Sequence, residues 1–382
     1  MKPIPYGKQF ITQQDIDCVI KALKSDYLTQ GPKIEEFELN FADYIGSKYA
    51  IAVSNGTAAL HLSALTLVNP GDKVLTTPIT FVASANCVRY CGGEVVFADI
   101  DSDNYCLDIN KVREILERDS EGKYKGIVPV DFAGYAVNLE EFRKLADEYG
   151  LWIIEDACHA PGGYFVDSQN ENRFCGSGEF ADLSVFSFHP VKHIACGEGG
   201  MITTNNEKLY KRILNLRTHG ITKDSELLIE NHGGWYYEMQ ELGYNYRLTD
   251  IQAALGNSQL SRADDGLKKR REIAQNYSDA FQGRGFVLGQ SDYIEGHAYH
   301  LYILEVENRH KLYDYLRAKG IFAQIHYIPV HTMPYYISLG WKKNDMPVAE
   351  SYYERCLSLP IYPGLTKSEQ EYVIESIISF YE

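Results

Sequence analysis

The sequence predicts an α/β protein, a mostly parallel seven-stranded sheet between helices, followed by a smaller C-terminal α+β domain. Three observations lead there. Short β-branched runs alternate with helical patterns through the first two-thirds of the chain, and strands joined in parallel need a crossover of that kind. After Asn245 the alternation stops and a long polar helical tract takes over. The composition is that of a chain that folds throughout: 382 residues, 45% hydrophobic, with 31 Gly and 13 Pro, far from the proportions of disordered or collagen-like sequences.

The strands are expected at 49–53, 73–76, 94–97, 126–130, 151–154, 183–188 and 201–204. Between them, 57–67 is apolar on nearly every side and reads as a buried helix, whereas 139–149 keeps its apolar residues on one stripe. A polar stretch at 167–173 reads as an exposed loop. The division expected is a large ligand-binding α/β domain over 1–248 and, over 249–382, a connecting helix with the small domain. The helical tract runs from 249 to about 282, and beyond it lie a strand near 299–306, a helix near 309–319, a strand near 322–327 and helices at 348–357 and 367–380.

Charge and cysteine usage narrow the class. Lys and Arg number 37 against 52 Asp and Glu, a net charge of −15, which argues against a nucleic-acid surface because neutralising phosphates takes clustered cations. The eight Cys, at 18, 87, 91, 106, 158, 175, 196 and 356, have no disulfide-framework or zinc-ribbon spacing. A reducing cytoplasm is the expected compartment. No run approaches the ~18 apolar residues of a membrane span, and the first residues lack the apolar stretch of a signal peptide.

Ligands of open parallel sheets gather at the carboxyl ends of the strands. Four such segments carry polar chemistry. Val53-Ser54-Asn55-Gly56-Thr57-Ala58 runs from a strand into a helix, where the N–H groups of Gly56, Thr57 and Ala58, the Thr57 hydroxyl and the helix dipole can bind phosphate; a simple N-cap is the competing reading. Trp152-Ile153-Ile154-Glu155-Asp156-Ala157-Cys158-His159 ends an apolar strand in two carboxylates, one of which needs a cationic partner such as a protonated ring nitrogen if it is to stay ionised. The competing reading is a carboxylate capping the next helix.

Ser187-Phe188-His189-Pro190-Val191-Lys192 precedes the glycine-rich Cys196-Gly197-Glu198-Gly199-Gly200, so Lys192 sits in a close-packed place where burial lowers an amine pKa and makes it nucleophilic toward an aldehyde. Ser187 can add a hydroxyl to a phosphate. Gly243-Tyr244-Asn245-Tyr246-Arg247 is uninformative by periodicity. Each segment has a bland explanation alone. Phosphate cup, carboxylate and lysine at three strand ends of one domain together describe a pyridoxal phosphate site.

The segments Ser187 to Lys192, Glu155 to His159, Gly243 to Arg247 and His326-Tyr327-Ile328-Pro329-Val330-His331 resemble the DegT/DnrJ/EryC1/StrS sugar-nucleotide aminotransferases, and most closely the pseudaminic acid branch. The resemblance runs over nearly the whole chain. It implies a fold type I pyridoxal phosphate-dependent transferase with Lys192 as the imine-forming and proton-shuttling residue and Asp156 on the pyridinium nitrogen. Gly56, Thr57, Ala58 and Ser187 would hold the cofactor phosphate, Phe81 would stack on the ring, and His159 would contact the ring oxygen or substrate. Asn245 would reach the phosphate from a neighbouring subunit, implying a homodimer with shared sites, and Tyr6, His326 and Tyr327 would contact the sugar nucleotide. The implied reactants are L-glutamate, leaving as 2-oxoglutarate, and a UDP-linked 4-keto-6-deoxy sugar.

Other readings remain open at this level. A relative acting on another keto sugar, or at the 3-keto position, would share these motifs. The dehydratases of the family carry His where Lys192 stands, and cysteine desulfurases need a loop Cys for which none of the eight qualifies. A metal protein using Cys158, His159, Cys175, His189 and Cys196 has no common zinc spacing to support it, and a non-catalytic protein on the same fold is the last alternative.

Overall fold

In a computed structural model, which describes residues 2–289 and 292–382, the expected strands assemble into a single sheet. Its order is Tyr49–Val53, Gly200–Thr204, Leu183–Ser187, Trp152–Asp156, Tyr124–Val128, Lys73–Thr76, Glu94–Phe97. Gly200–Thr204 runs antiparallel to both of its neighbours, and the other neighbouring pairs are parallel. The strands are buried because helices cover both faces, so they read as near-continuous apolar runs rather than as alternating ones.

Helix Gly56–Leu67 is apolar on nearly every side because it is buried, Gly56 and each residue from Ala58 to Ala64 lying in the interior. Asn55 caps its start, accepting the Ala58 N–H at 2.8 Å. Helix Leu139–Tyr149 ends on Gly150 in the left-handed region at φ 67°, the usual helix stop.

The strand Trp152–Asp156 extends two residues further than the hydrophobic pattern indicated, so Glu155 and Asp156 belong to it. Successive strand residues point to opposite faces. The two acids therefore enter different environments, which a reading of the pair as one polar strand end does not separate. Mid-strand Gly126 sits opposite Trp152, and a Cβ there would meet the indole at 2.3 Å; the glycine makes room for the ring.

Beyond Asn245 the structure departs from the expected single tract. The helix breaks after Leu260 into Asp250–Leu260 and Ala263–Phe281. At the break Arg262 pairs with buried Asp15 and also donates to the Phe10 carbonyl at 2.6 Å. Ala253 and Leu260 of the first piece share a core with Phe37 and Phe41 of helix Pro32–Ile45. Ile273, Ala274, Tyr277 and Phe281 of the second join the C-terminal core around Leu304, Leu312 and Leu357.

Three further differences have tertiary causes. Of 322–327 only Phe322 lies in a strand, the short Ile321–Phe322, paired in parallel with Ile4–Pro5 near the N-terminus. The expected helix at 348–357 stops at Arg355, and Cys356–Leu359 becomes a strand antiparallel to Tyr302–Glu305. The loop expected at 167–173 is the turn of a hairpin whose strands are Tyr164–Val166 and Asn172–Phe174. No helix among the described residues is long and apolar enough to cross a membrane.

Replacing Gly126 by Ala forces the Trp152 ring from its place and should lower stability by about 1–3 kcal/mol, the cost of overpacking. Chemical denaturation followed by tryptophan emission measures this, and an unchanged midpoint and spectrum would contradict the contact.

Candidate active site

At the carboxyl ends of the strands lies a cavity of about 630 Å³, a size that suits a small-molecule ligand. Its walls include Tyr6, Gly56, Thr57, Ala58, Phe81, Asp156, His159, Ser187, Lys192, His326 and Tyr327. Every site residue expected from the sequence except Asn245 is thus brought to one place. Asn245 is exposed and bridges to Thr218 instead.

One end of the cavity is an anion cradle. With the Ala58 N–H taken by Asn55, the Gly56 and Thr57 N–H groups have no acceptor among the described residues. This corrects the expectation of three free amides: a strong side-chain cap uses one of them. The helix start is packed so closely on the strand Leu183–Ser187 that a Cβ at Gly56 would lie 2.9 Å from Ser187 Cβ. The Ser187 hydroxyl and two free amides at a positive helix end form the cradle.

Asp156 supplies the carboxylate. Ser84 donates to its Oδ2 at 2.6 Å, the Cys158 N–H donates to Oδ1 at 3.2 Å, and Thr80 lies 2.7 Å behind Ser84. Since the Ser84 proton is committed to Asp156, Thr80 is the donor in that second bond. Ser84 and Thr80 line the cavity too and were not singled out from the sequence. Their signal was available: they follow the carboxyl end of Lys73–Thr76, as the chosen segments follow theirs.

Glu155 faces the other way. It accepts from the Gly176 N–H at 2.9 Å and from the Ser184 hydroxyl. One oxygen of Asp131, one of Glu155 and the Cys175 sulfur lie within 4.8 Å of one another, all buried, and Asp131 Oδ2 has no hydrogen-bond partner among the described residues. Two buried carboxylates this close cannot both ionise. Burial and the charge of Glu155 push the Asp131 carboxyl well up, and it holds the proton. Cys175 is the only member of the alternative metal set, Cys158, His159, Cys175, His189 and Cys196, that belongs to this group, the one cluster of three ligating side chains found among the described residues.

Lys192 enters the cavity from the turn after Leu183–Ser187, its N–H bonded to the His189 carbonyl at 2.8 Å. Burial brings its amine down to about 8, with Asp156 and Cys158 acting in the opposite direction. His159 is neutral: burial, then the Lys192 charge, hold its pKa well down. The Ala133 N–H donates to its Nδ1 at 3.2 Å, so Nε2 carries the proton and faces the Tyr327 hydroxyl at 3.3 Å. Tyr327 is thereby left free to donate into the cavity. Phe81, 58% exposed at the cavity and 6.4 Å from the Tyr327 ring, presents a flat apolar face.

A cradle for phosphate, an acid supported by a serine and an amine of lowered pKa, on this strand order, define a fold type I pyridoxal phosphate-dependent transferase. Comparison with known proteins narrows the class: residues 9–378 match the DegT/DnrJ/EryC1/StrS aminotransferase family, and the chain belongs to it. The spore coat polysaccharide biosynthesis protein SpsC of Bacillus subtilis is 38% identical over 98% of this chain and 96% of its own length. The UDP-4-amino-4,6-dideoxy-N-acetyl-beta-L-altrosamine transaminase of Campylobacter jejuni is 36% identical over 99% and 98%. Among solved structures, Helicobacter pylori PseC, an aminotransferase involved in the biosynthesis of pseudoaminic acid, superposes with a TM-score of 0.89 at 29% identity, covering 99% of both chains. The putative sugar aminotransferase Spr1654 of Streptococcus pneumoniae, in its PMP form, gives 0.89 and 29% over 98% of each. The chain is a pyridoxal phosphate-dependent sugar aminotransferase.

The buried acid pair makes a pH prediction. Asp131 has a folded pKa above its unfolded value, so its contribution to stability is fully present below pH ~4 and is lost as pH rises toward the folded value, by up to about 1.4 kcal/mol per pH unit. Asp131→Asn keeps a donor toward Glu155 without a titrating proton. The variant should therefore gain on the parent in denaturation midpoint between pH 5 and pH 8; a constant difference across that range would show Asp131 ionised.

Proposed function

We propose that this enzyme moves the amino group of L-glutamate to C4 of a UDP-linked 4-keto-6-deoxy-N-acetyl-hexosamine, UDP-2-acetamido-2,6-dideoxy-beta-L-arabino-hex-4-ulose, in nucleotide-sugar biosynthesis of the pseudaminic acid type. It works in the cytoplasm as a homodimer with shared sites. The observation that carries the catalytic part is that Lys192 and Asp156 line the same cavity as the Gly56, Thr57 and Ser187 cradle. The substrate assignment draws support from what the Campylobacter jejuni transaminase is named for and from the pathway given for the Helicobacter pylori protein.

Pyridoxal phosphate, when bound, supplies an aldehyde to receive the amino group and a conjugated ring to spread the charge left on carbon. Gly56, Thr57 and Ser187 would hold its phosphate, beside Ala58, which lines the same cavity. Asp156, pinned by Ser84, keeps the ring nitrogen protonated. Phe81 would stack on the ring, and His159, which faces the Tyr327 hydroxyl, would contact the ring oxygen or the substrate. Lys192 Nζ takes the proton from glutamate Cα. In the second half-reaction it delivers a proton to the sugar C4 from its own face, which fixes the configuration there.

A base that gives as well as takes works best with a pKa near ambient pH, and burial provides that for Lys192. Tyr6, His326 and Tyr327 contact the sugar nucleotide. Burial keeps His326 neutral, at about 3, so it offers hydrogen bonds rather than charge. Asn245, exposed and outside this cavity, completes the phosphate site of a second copy.

Incubation with glutamate and a panel of UDP-4-keto and UDP-3-keto sugars, with product configuration read by NMR, tests the substrate. Amination at C4 of the 4-keto sugar with 2-oxoglutarate release is expected; amination of a 3-keto substrate alone would overturn the assignment. Lys192→Ala should fold and still bind phosphate while turnover falls on the order of 10²–10⁴-fold or more, the contribution of a positioned base. Turnover near the parent's would refute the role. Asp156→Asn should cost roughly tenfold or more, one pK unit of lost pairing at the ring nitrogen, and normal kcat there would mean that another carboxylate serves.

A further inference from the structure

Arg270, at the middle of helix Ala263–Phe281, is 1% exposed. Its Nη1 donates to the carbonyls of Ile361 at 3.0 Å and of Tyr299 and His300 at 3.2 Å, and its Nη2 donates to the carbonyl of Val191 at 3.4 Å. Nε has no partner, and no carboxylate pairs with the guanidinium among the described residues. Burial lowers its pKa to about 10, which leaves it charged at neutral pH. Holding an unpaired cation inside a protein is costly, and an apolar side chain of similar volume usually serves stability as well or better. The charge therefore calls for a use.

Its surroundings indicate one. Val191 is the residue before Lys192, and Arg270 ties that turn to Tyr299, His300 and Ile361. The groups facing Lys192 fall into two sets. Asp156 and Cys158, from the carboxyl end of their strand, favour its ammonium form, and Glu198 is the other carboxylate lining the cavity. His159, His193, His300 and His326 are kept neutral by burial, and Tyr327 keeps its phenolic proton for the same reason. Arg270 is the guanidinium that opposes the ammonium, and its charge also weighs against protonation of His193 and His300.

We propose that Arg270 is a positioning residue for transamination: it fixes the Lys192 turn through the Val191 carbonyl, and its unpaired charge offsets Asp156 so that the Lys192 ammonium, formed when the amine takes a proton, gives that proton up again and is restored as the neutral amine. This rests on Lys192 as the base. The helix that joins the two cores would thus set the chemistry of a residue it does not carry.

The test reads Lys192 directly in cofactor-free protein, as the pH dependence of its modification by cyanate, quantified on the Lys192 peptide by mass spectrometry. In the parent, reactivity should rise with a midpoint well below that of exposed lysines in the same digest; a midpoint equal to theirs overturns the proposal without any variant. Arg270→Gln keeps donors but removes the charge, and should move the midpoint up by about one pH unit, roughly tenfold less neutral amine at any pH below it. The acid limb of the holoenzyme's pH–rate profile should move with it. Arg270→Lys keeps a charge without the fork, so it should hold the midpoint nearer the parent's while lowering kcat. A folded Arg270→Gln with the parent's midpoint overturns the proposal. If the reading of Lys192 itself is wrong, borohydride reduction of the holoenzyme will not fix the cofactor to the Lys192 peptide, an outcome independent of the cyanate midpoint.

Discussion

An amine and a carboxylate share one cavity, and what their surroundings do to each charge governs the rest of the site. Left alone, such a pair would settle as ammonium and carboxylate, and the lysine would be useless as a base. The protein counters this in several places at once. Burial disfavours the ammonium, Ser84 and the Cys158 amide donate hydrogen bonds to the carboxylate, and His159, His193, His300 and His326 are kept neutral by burial. The polar groups stay separate in role because their hydrogen bonds are committed in advance.

The same economy appears behind the sheet. Glu155 and Asp156 are neighbours in sequence but lie on opposite faces of one strand. Asp156 meets the cavity, while Glu155 meets Asp131, whose retained proton lets two acids share a dry space with one negative charge. Were both ionised, the added charge on Asp131, whose N–H donates to the Asp156 carbonyl at 3.1 Å, would act on the groups of the cavity. Strand periodicity is what keeps these two carboxylates in separate electrostatic settings.

The central sheet was legible in the sequence because buried parallel strands are short apolar runs separated by helices, a local pattern that tertiary packing does not overrule. The motifs at the strand ends were legible for a related reason: a Gly followed by Thr at a helix start, an acid after an apolar run and a Lys before a glycine-rich turn need little context. Ser84 and Thr80 were missed since nothing in their own segment shows that Asp156 lies opposite. The third free amide expected at Ala58 vanished because Asn55 adopts the capping geometry. The strands Cys356–Leu359 and Ile321–Phe322 went unread or overextended because their partners lie far away along the chain.

By itself, then, the sequence determined the α/β alternation, the strand-end chemistry and the kinship carried by a few contiguous motifs, all properties written within short stretches of chain. Only the tertiary structure decided where Glu155 goes once Asp156 faces the cavity, which serine supports Asp156, where the helical tract after Asn245 breaks, and that a buried arginine lies against the turn carrying Lys192. Those outcomes depend on contacts between residues tens to hundreds of positions apart, and it is burial at such contacts, with the dielectric it imposes, that sets each group's charge.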